Sequence, residues 1–261
     1  MPRIIHLSDT HILASEDSDL SGLYPFRTLK PIVQKIAELK PRADVILLTG
    51  DVGDKGTEEE YALFKKLLTP LGIPVYWIPG NHDNAAELQK ASDGRLFLNN
   101  RTVRLDAWNV ILLNSQVIDK DYGHISNEEF DYLSAQLNQY PDNPTLVTLH
   151  HTPCSPCVNP GCQLNNHDEF LSFLKSHPQV KLVLAGHTHH ADEIKTGNLT
   201  VFTAPSTLAQ VLHPHDESLL DINNFMACHT IDGSTIGFGV FDLSSDGSYT
   251  QLLHHIEINS K

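Results

Sequence analysis

A chain of 261 residues with 40% hydrophobic and 19% charged side chains can bury about three quarters of its unfolded surface, which excludes a disordered chain and removes any need for disulfide staples. Its formal charge of −14 excludes the basic face that nucleic acid requires and the polybasic segment that binds anionic membranes. Sixteen histidines leave room for phosphate chemistry at bound cations despite that charge.

Arg3 to Leu7 reads as a first strand. Leu29, Ile32, Val33, Ile36 and Leu39 fall at helical spacing, so a helix is expected over Thr28 to Leu39, stopped by Pro41. Asp44 to Thr49 is almost wholly apolar, as a central strand covered on both faces must be. Thr57 with Glu60 makes a capping box that opens a helix to about Leu68. Pro74 to Ile78, Asn109 to Leu113, Thr145 to Leu149 and Val180 to Ala185 continue the strands. Between them, Ser126 with Glu129 and Asn166 with Glu169 cap helices running to about Leu137 and Lys175. Beyond Gly186 the pattern changes. Leu199 to Thr203, Ile236 to Leu243 and Tyr249 to Ile256 read as antiparallel strands, with a turn at Asp246-Gly247. With no internal repeat or linker, one α/β domain over residues 1–261 is expected, its C-terminal part β-rich from about residue 190.

No run approaches the roughly 18 apolar residues of a membrane helix. The opening Met1-Pro2-Arg3-Ile4-Ile5-His6-Leu7 breaks its apolar run too early for a secretory signal, and the four cysteines read as reduced thiols. A cytoplasmic protein without membrane or nucleic-acid partners is the expectation.

Five of the expected strands run straight into side chains of metal-ligand type. These are Asp9-Thr10-His11, Gly50-Asp51-Val52-Gly53-Asp54, Gly80-Asn81-His82-Asp83, His150-His151 and Gly186-His187-Thr188-His189. Ligands of an open α/β sheet bind beyond the carboxyl ends of its strands, so the five clusters converge although they are far apart in sequence. Residues i and i+2 of an extended segment point the same way, which lets Asp9 and His11 grip one ion. Glycines at 50, 80 and 186 let the backbone turn sharply there. Taken singly, Asp-x-His or Gly-Asp is often no more than a turn; the whole ordered set is what excludes accident. Carboxylate, imidazole and amide together suit iron or manganese, with zinc as an alternative, better than calcium. Two ions about 3.5–4 Å apart could share a carboxylate and clamp a phosphate.

The ordered series from Asp9 to His189 resembles the calcineurin-like metallophosphoesterases. That resemblance implies a four-layer α/β/β/α sandwich with flanking helices and a centre of two metal ions. It implies that Asp9, His11, Asp51 and His189 hold the first ion, and that Asp51, Asn81, His150 and His187 hold the second, with Asp51 bridging. It makes His82 the catalytic residue, stabilising the transition state or protonating the leaving oxygen, and has Asn81 and His82 meet the substrate. Asp83 either orients His82 or caps a helix ahead of Ala85 to Leu88. Asp54 closes a turn, and His151 points away from the site if its strand continues.

A narrower resemblance rests on Thr203-Ala204-Pro205-Ser206-Thr207, on Gln210, and on the Gly-x-x-Ser stretch at Gly123. It is to the class III cyclic nucleotide phosphodiesterases, and within them to the bacterial 3′,5′-cyclic AMP phosphodiesterases. It implies hydrolysis of a small phosphodiester, a 3′,5′-cyclic nucleotide with cyclic AMP favoured, to the 5′-nucleotide by a hydroxide shared between the ions, and a homodimer. The alternative is a broader phosphodiesterase or pyrophosphatase acting on glycerophosphodiesters or nucleotide-diphosphate conjugates. A non-catalytic scaffold is remote, because no ligand of the series is missing. Cys154, Cys157, Cys162 and His167 are spaced like a zinc knuckle, but their Pro- and Asn-rich surroundings favour free thiols in a loop. His124, His213 and His215 read as surface histidines.

Overall fold

The computed structural model describes residues 1–154, 163–212 and 230–258. Its frame is two six-stranded sheets. The first contains β1 (Arg3–Leu7), β2 (Val45–Leu48), β3 (Val75–Trp77) and β4 (Phe97–Leu98), all parallel, in the order β14-β13-β1-β2-β3-β4. Here β13 (Thr235–Leu243) and β14 (Tyr249–Glu257) form a hairpin whose β13 pairs antiparallel with β1. The second sheet contains β5 (Thr102–Leu105), β6 (Trp108–Leu112), β7 (Thr145–Thr148), β8 (Val180–Ala185), β9 (Glu193–Thr196) and β10 (Leu199–Thr203), in the order β5-β6-β7-β8-β10-β9. A two-stranded ribbon, β11 (Gln210–Leu212) with β12 (Thr230–Asp232), stands apart.

The layers follow from the two-residue period of a strand. Ile4, Leu47, Trp108, Leu146, Leu182 and Phe241 point between the sheets and form one apolar cluster. Their neighbours Ile5, Ile46 and Leu48 point outward and meet Leu29, Ile32 and Ile36 of α1 (Pro25–Glu38) and Phe64 of α2 (Glu58–Leu68). On the far side Ile111, Val147 and Val183 meet Leu133 and Leu137 of α4 (Asn127–Gln139) and Phe170 of α5 (His167–Lys175). A short α3 (Ala85–Ala91) follows β3. The order is helix, sheet, sheet, helix, the four-layer sandwich the resemblance implied. The Trp108 indole N–H donates to the Ser244 carbonyl at 2.7 Å, tying the second sheet to the hairpin of the first.

Three local expectations are corrected. Helix α1 begins at Pro25 rather than Thr28, because proline at the first helical position already has the helical φ and needs no N–H partner. Asn166 precedes α5 but does not cap it. Its amide instead brackets Ile125, accepting from the Ile125 N–H at 3.1 Å and donating to the Ile125 carbonyl at 2.9 Å. The last three expected strands are not one antiparallel unit. Strand β10 runs parallel to β8 and antiparallel to β9 in the second sheet, while the β13–β14 hairpin completes the first. Among the described residues no helix is long and apolar enough to cross a membrane.

Candidate metal centre

Strands β1, β2 and β3 of one sheet and β7 and β8 of the other end at one rim, and each is followed by a loop carrying ligand-type side chains. Asp9, His11, Asp51, His187 and His189 have φ of 55°, 43°, 50°, 73° and 51°. Left-handed backbone at non-glycine residues costs of order 1–3 kcal/mol each and persists only where the surroundings over-determine it. Here the loops hold one another. Asp9 N–H donates to the Gly50 carbonyl at 3.1 Å, and Thr10 and His11 donate to the Asp51 carbonyl at 2.8 and 2.9 Å. The glycine at 50 is required twice over: its φ is 97°, and a Cβ there would lie 2.5 Å from His150 Nδ1.

The rings and carboxylates these loops present pack against one another, with Asp9, His11, Asp51 and His150 buried. His189 Nε2 lies 3.0 Å from His11 Nε2 and 3.4 Å from an Asp9 carboxylate oxygen. His150 Nε2 lies 3.0 Å from Asn81 Oδ1 and 3.2 Å from His187 Nδ1. Asp51 Oδ2 faces both groups, 3.7 Å from His11 Nε2 and 3.4 Å from His150 Nε2. The seven expected ligands therefore form one continuous cluster.

The donor chemistry fits cations. His150 Nδ1 meets the Thr49 carbonyl at 2.6 Å, and His189 Nδ1 meets the Ala209 carbonyl at 3.2 Å. A carbonyl only accepts, so both Nδ1 atoms carry hydrogen, and each ring turns its Nε2 into the cluster. Carboxylates and ring nitrogens crowded in this way draw positive charge among them. The carboxylate field is strong enough to raise His150 to about 9, with Asp51 and Asp9 overcoming the burial that lowers it. Asp51 is held well below the usual carboxylate range by His150 and His11, although burial opposes this. The same field suits cations, and Asp9, His11 and His189, Asp9, Asp51 and His150, and His150, His151 and His187 each form a group that could hold one.

His82 lies at the mouth, its side chain 40% exposed. Its Nδ1 sits 3.2 Å from the Asp54 carbonyl and 3.4 Å from the Asp54 carboxylate. That partner, with Asp51 adding, raises His82 to about 9 against partial burial. Asp54 therefore does more than close a turn. It orients His82 and also lies 3.7 Å from His11 Nδ1.

Asp83 takes neither of its expected roles. Its carboxylate accepts from the N–H groups of Val52, Gly53 and Gly80 at 2.9–3.1 Å and from the Tyr61 hydroxyl at 3.1 Å, stitching the β2 and β3 loops together. The residue that caps α3 is Asn84. His151 does not point away, because β7 stops at Thr148. Its ring packs 4.7 Å from that of His187, its Nδ1 meets Ser115 Oγ at 2.9 Å, and its ligand atom falls within 4.8 Å of those of His150 and His187.

Gln116, unmarked in the sequence, reaches from the loop after β6 and donates to the Gly80 and Asp83 carbonyls at 2.7 and 2.5 Å, bracketing Asn81 and His82. His124 instead bonds to the side chain of Asn165, and His167 bonds locally, to the Leu164 carbonyl. Burial pushes the Cys154 thiol up to about 11. Cys157, Cys162, His213 and His215 lie outside the described residues.

Residues 2–191 match the family model of the calcineurin-like phosphoesterases, and the chain belongs to that family. It is similar to a 3′,5′-cyclic-nucleotide phosphodiesterase of Nostoc, at 33% identity over 97% of this chain and 92% of the relative. It is 31% identical to the 3′,5′-cyclic adenosine monophosphate phosphodiesterase CpdA of Pseudomonas aeruginosa, covering 84% of this chain and 80% of that one. A probable glycerophosphodiester phosphodiesterase GpdQ of Arcobacter nitrofigilis is 32% identical over 80% of this chain and 79% of its own. Among solved structures, a dimetal phosphatase from Danio rerio shares the fold, with a TM-score of 0.62 at 15% identity over 92% of each chain.

Proposed function

We propose that this chain hydrolyses 3′,5′-cyclic nucleotides, cyclic AMP first among them, to 5′-nucleotides at a pair of divalent cations. The observation that carries the reading is the rim cluster, in which two inward Nε2 atoms and the Asp51 carboxylate face each other across both sheets. The cyclic-nucleotide substrate is supported by the Nostoc relative, which matches nearly the whole chain. Asp9, His11, Asp51 and His189 would hold one cation and Asp51, Asn81, His150 and His187 the other, with iron or manganese favoured and zinc as the alternative. Bound there, the cations neutralise the phosphodiester and make a water molecule nucleophilic at neutral pH.

The protein's own groups do the rest. With Nδ1 turned to Asp54, whose carboxylate favours the charged ring, His82 has Nε2 left to meet the substrate and deliver a proton. That proton is placed to pass to the departing ribose 3′ oxygen, a contribution typically worth about 10²–10⁴-fold. Asn81 and His82 share one short loop, so substrate contact and proton delivery are set together by the clamps of Asp83 and Gln116. The reading includes a cytoplasmic homodimer, checked by fractionation and sedimentation.

The deciding experiment is an assay of the purified, manganese- or iron-loaded chain on cyclic AMP, with products separated as 5′-AMP and 3′-AMP. Formation of 5′-AMP is expected. Inert cyclic AMP beside rapid cleavage of glycerophosphodiesters would move the assignment to the second reading, which the Arcobacter relative supports.

A further inference from the structure

We propose that Ser206 is a positioning residue for the cation framed by Asp9 and His189, and that the turn from Ser206 to Val211 acts as a bracket on that side of the centre alone. The inference rests on the two-cation reading and not on the identity of the substrate. Ser206 is fully buried, and its one hydroxyl joins three backbone groups. It donates to the Asp9 carbonyl at 2.9 Å and accepts from the N–H groups of Leu208 and Ala209 at 3.0 and 3.3 Å. The turn so fixed then grips His189 at two points. The Ala209 carbonyl takes the His189 Nδ1 hydrogen at 3.2 Å, and Val211 N–H donates to the His189 carbonyl at 3.0 Å. Gln210 anchors the turn from behind, its amide donating to the Ser206 carbonyl at 2.9 Å.

Asp9 and His189 are 180 positions apart and both hold left-handed backbone. Strained residues stay in register only when something common fixes them. The bracket is that common element. It sets the Asp9 carbonyl, the His189 tautomer and the His189 backbone, whereas His150 is set by the Thr49 carbonyl and the loop of Asn81 by Asp83 and Gln116. Loss of the Ser206 hydroxyl should therefore weaken one cation and spare the other.

The test is calorimetric titration of the metal-free full chain with Mn²⁺ in the parent, Ser206→Ala and His189→Ala. The histidine variant marks the binding step that belongs to the Asp9 side. Ser206→Ala is expected to weaken that step by roughly 10–100-fold, the usual effect of removing a group that orients a ligand, and to leave the other step unchanged. Equal constants in parent and variant overturn the proposal. So does equal weakening of both steps, the mark of a general packing defect. If Ser206→Ala does not fold, Gln210→Met serves in its place, removing the amide from the Ser206 carbonyl while keeping the side chain's length. Selective weakening supports the bracket, and an unchanged Asp9-side step overturns it. A parent that binds fewer than two cations overturns the two-cation reading, and the bracket with it. Selective loss in a protein inert to cyclic nucleotides keeps the bracket and overturns only the substrate.

Discussion

At the scale of single residues the site divides into groups that hold charge and groups that hold a proton. Asp51 faces both halves of the cluster, so Asp51→Ala should empty both cation positions. Elemental analysis of the purified variant checks this, and two retained ions would exclude the bridging role. His82 touches the Asp54 carbonyl and carboxylate and lies outside the two ligand groups. His82→Ala should keep its metal content while turnover on the true substrate falls by about 10²–10⁴-fold. The residues that gather at the rim, and His82, were all legible in the sequence because each follows a strand signal and has metal-ligand or proton-carrying chemistry. The supporting residues were not. Gln116 and Ser206 act on loops whose positions are set by other strands, and neither residue type by itself signals a task. Asp83 and Asp54 were visible, but the part of orienting His82 falls to Asp54 and not to Asp83, since adjacency to His82 in sequence says nothing about which carboxylate the fold brings to its ring.

At the scale of elements, local signals were reliable where the partner is local. Thr57 and Glu60 form both halves of the capping box expected of them. Thr57→Ala should cost about 1 kcal/mol in urea denaturation, with activity per folded molecule unchanged. Strand signals failed where pairing supplies what sequence lacks. Strands β4, β5 and β9 are two to four residues long and only partly buried, so they carry little apolar periodicity. The parallel pairing of β10 was hidden for a different reason. Its residues are buried on every side, which marks an interior strand without saying which neighbour runs beside it.

At the scale of the whole molecule, chain ends far apart in sequence close the first sheet. Arg3 on β1 makes a two-pronged pair with Asp242 on β13, both bonds 2.7 Å long. Hydrogen bonding to Arg3 holds Asp242 below the usual carboxylate range, against partial burial. A depressed carboxylate contributes stability above its unfolded pKa of about 3.9 and loses it as pH falls through the folded value. Arg3→Met should therefore cost about 1–3 kcal/mol at pH 7, and the gap from the parent should narrow below about pH 4. Urea melts at the two pH values check the sign.

Because the ligand groups hang from both sheets, cations at the rim would rivet the two halves of the sandwich along one edge. Heat tolerance then becomes a function of ion supply, the melting temperature climbing with the logarithm of free Mn²⁺ once the binding constants are exceeded. Stripping with a chelator should leave the apolar seam shut while amide exchange quickens selectively where the strands run out. Exchange that speeds evenly across all three apolar layers would show that the edge carries no such rivet.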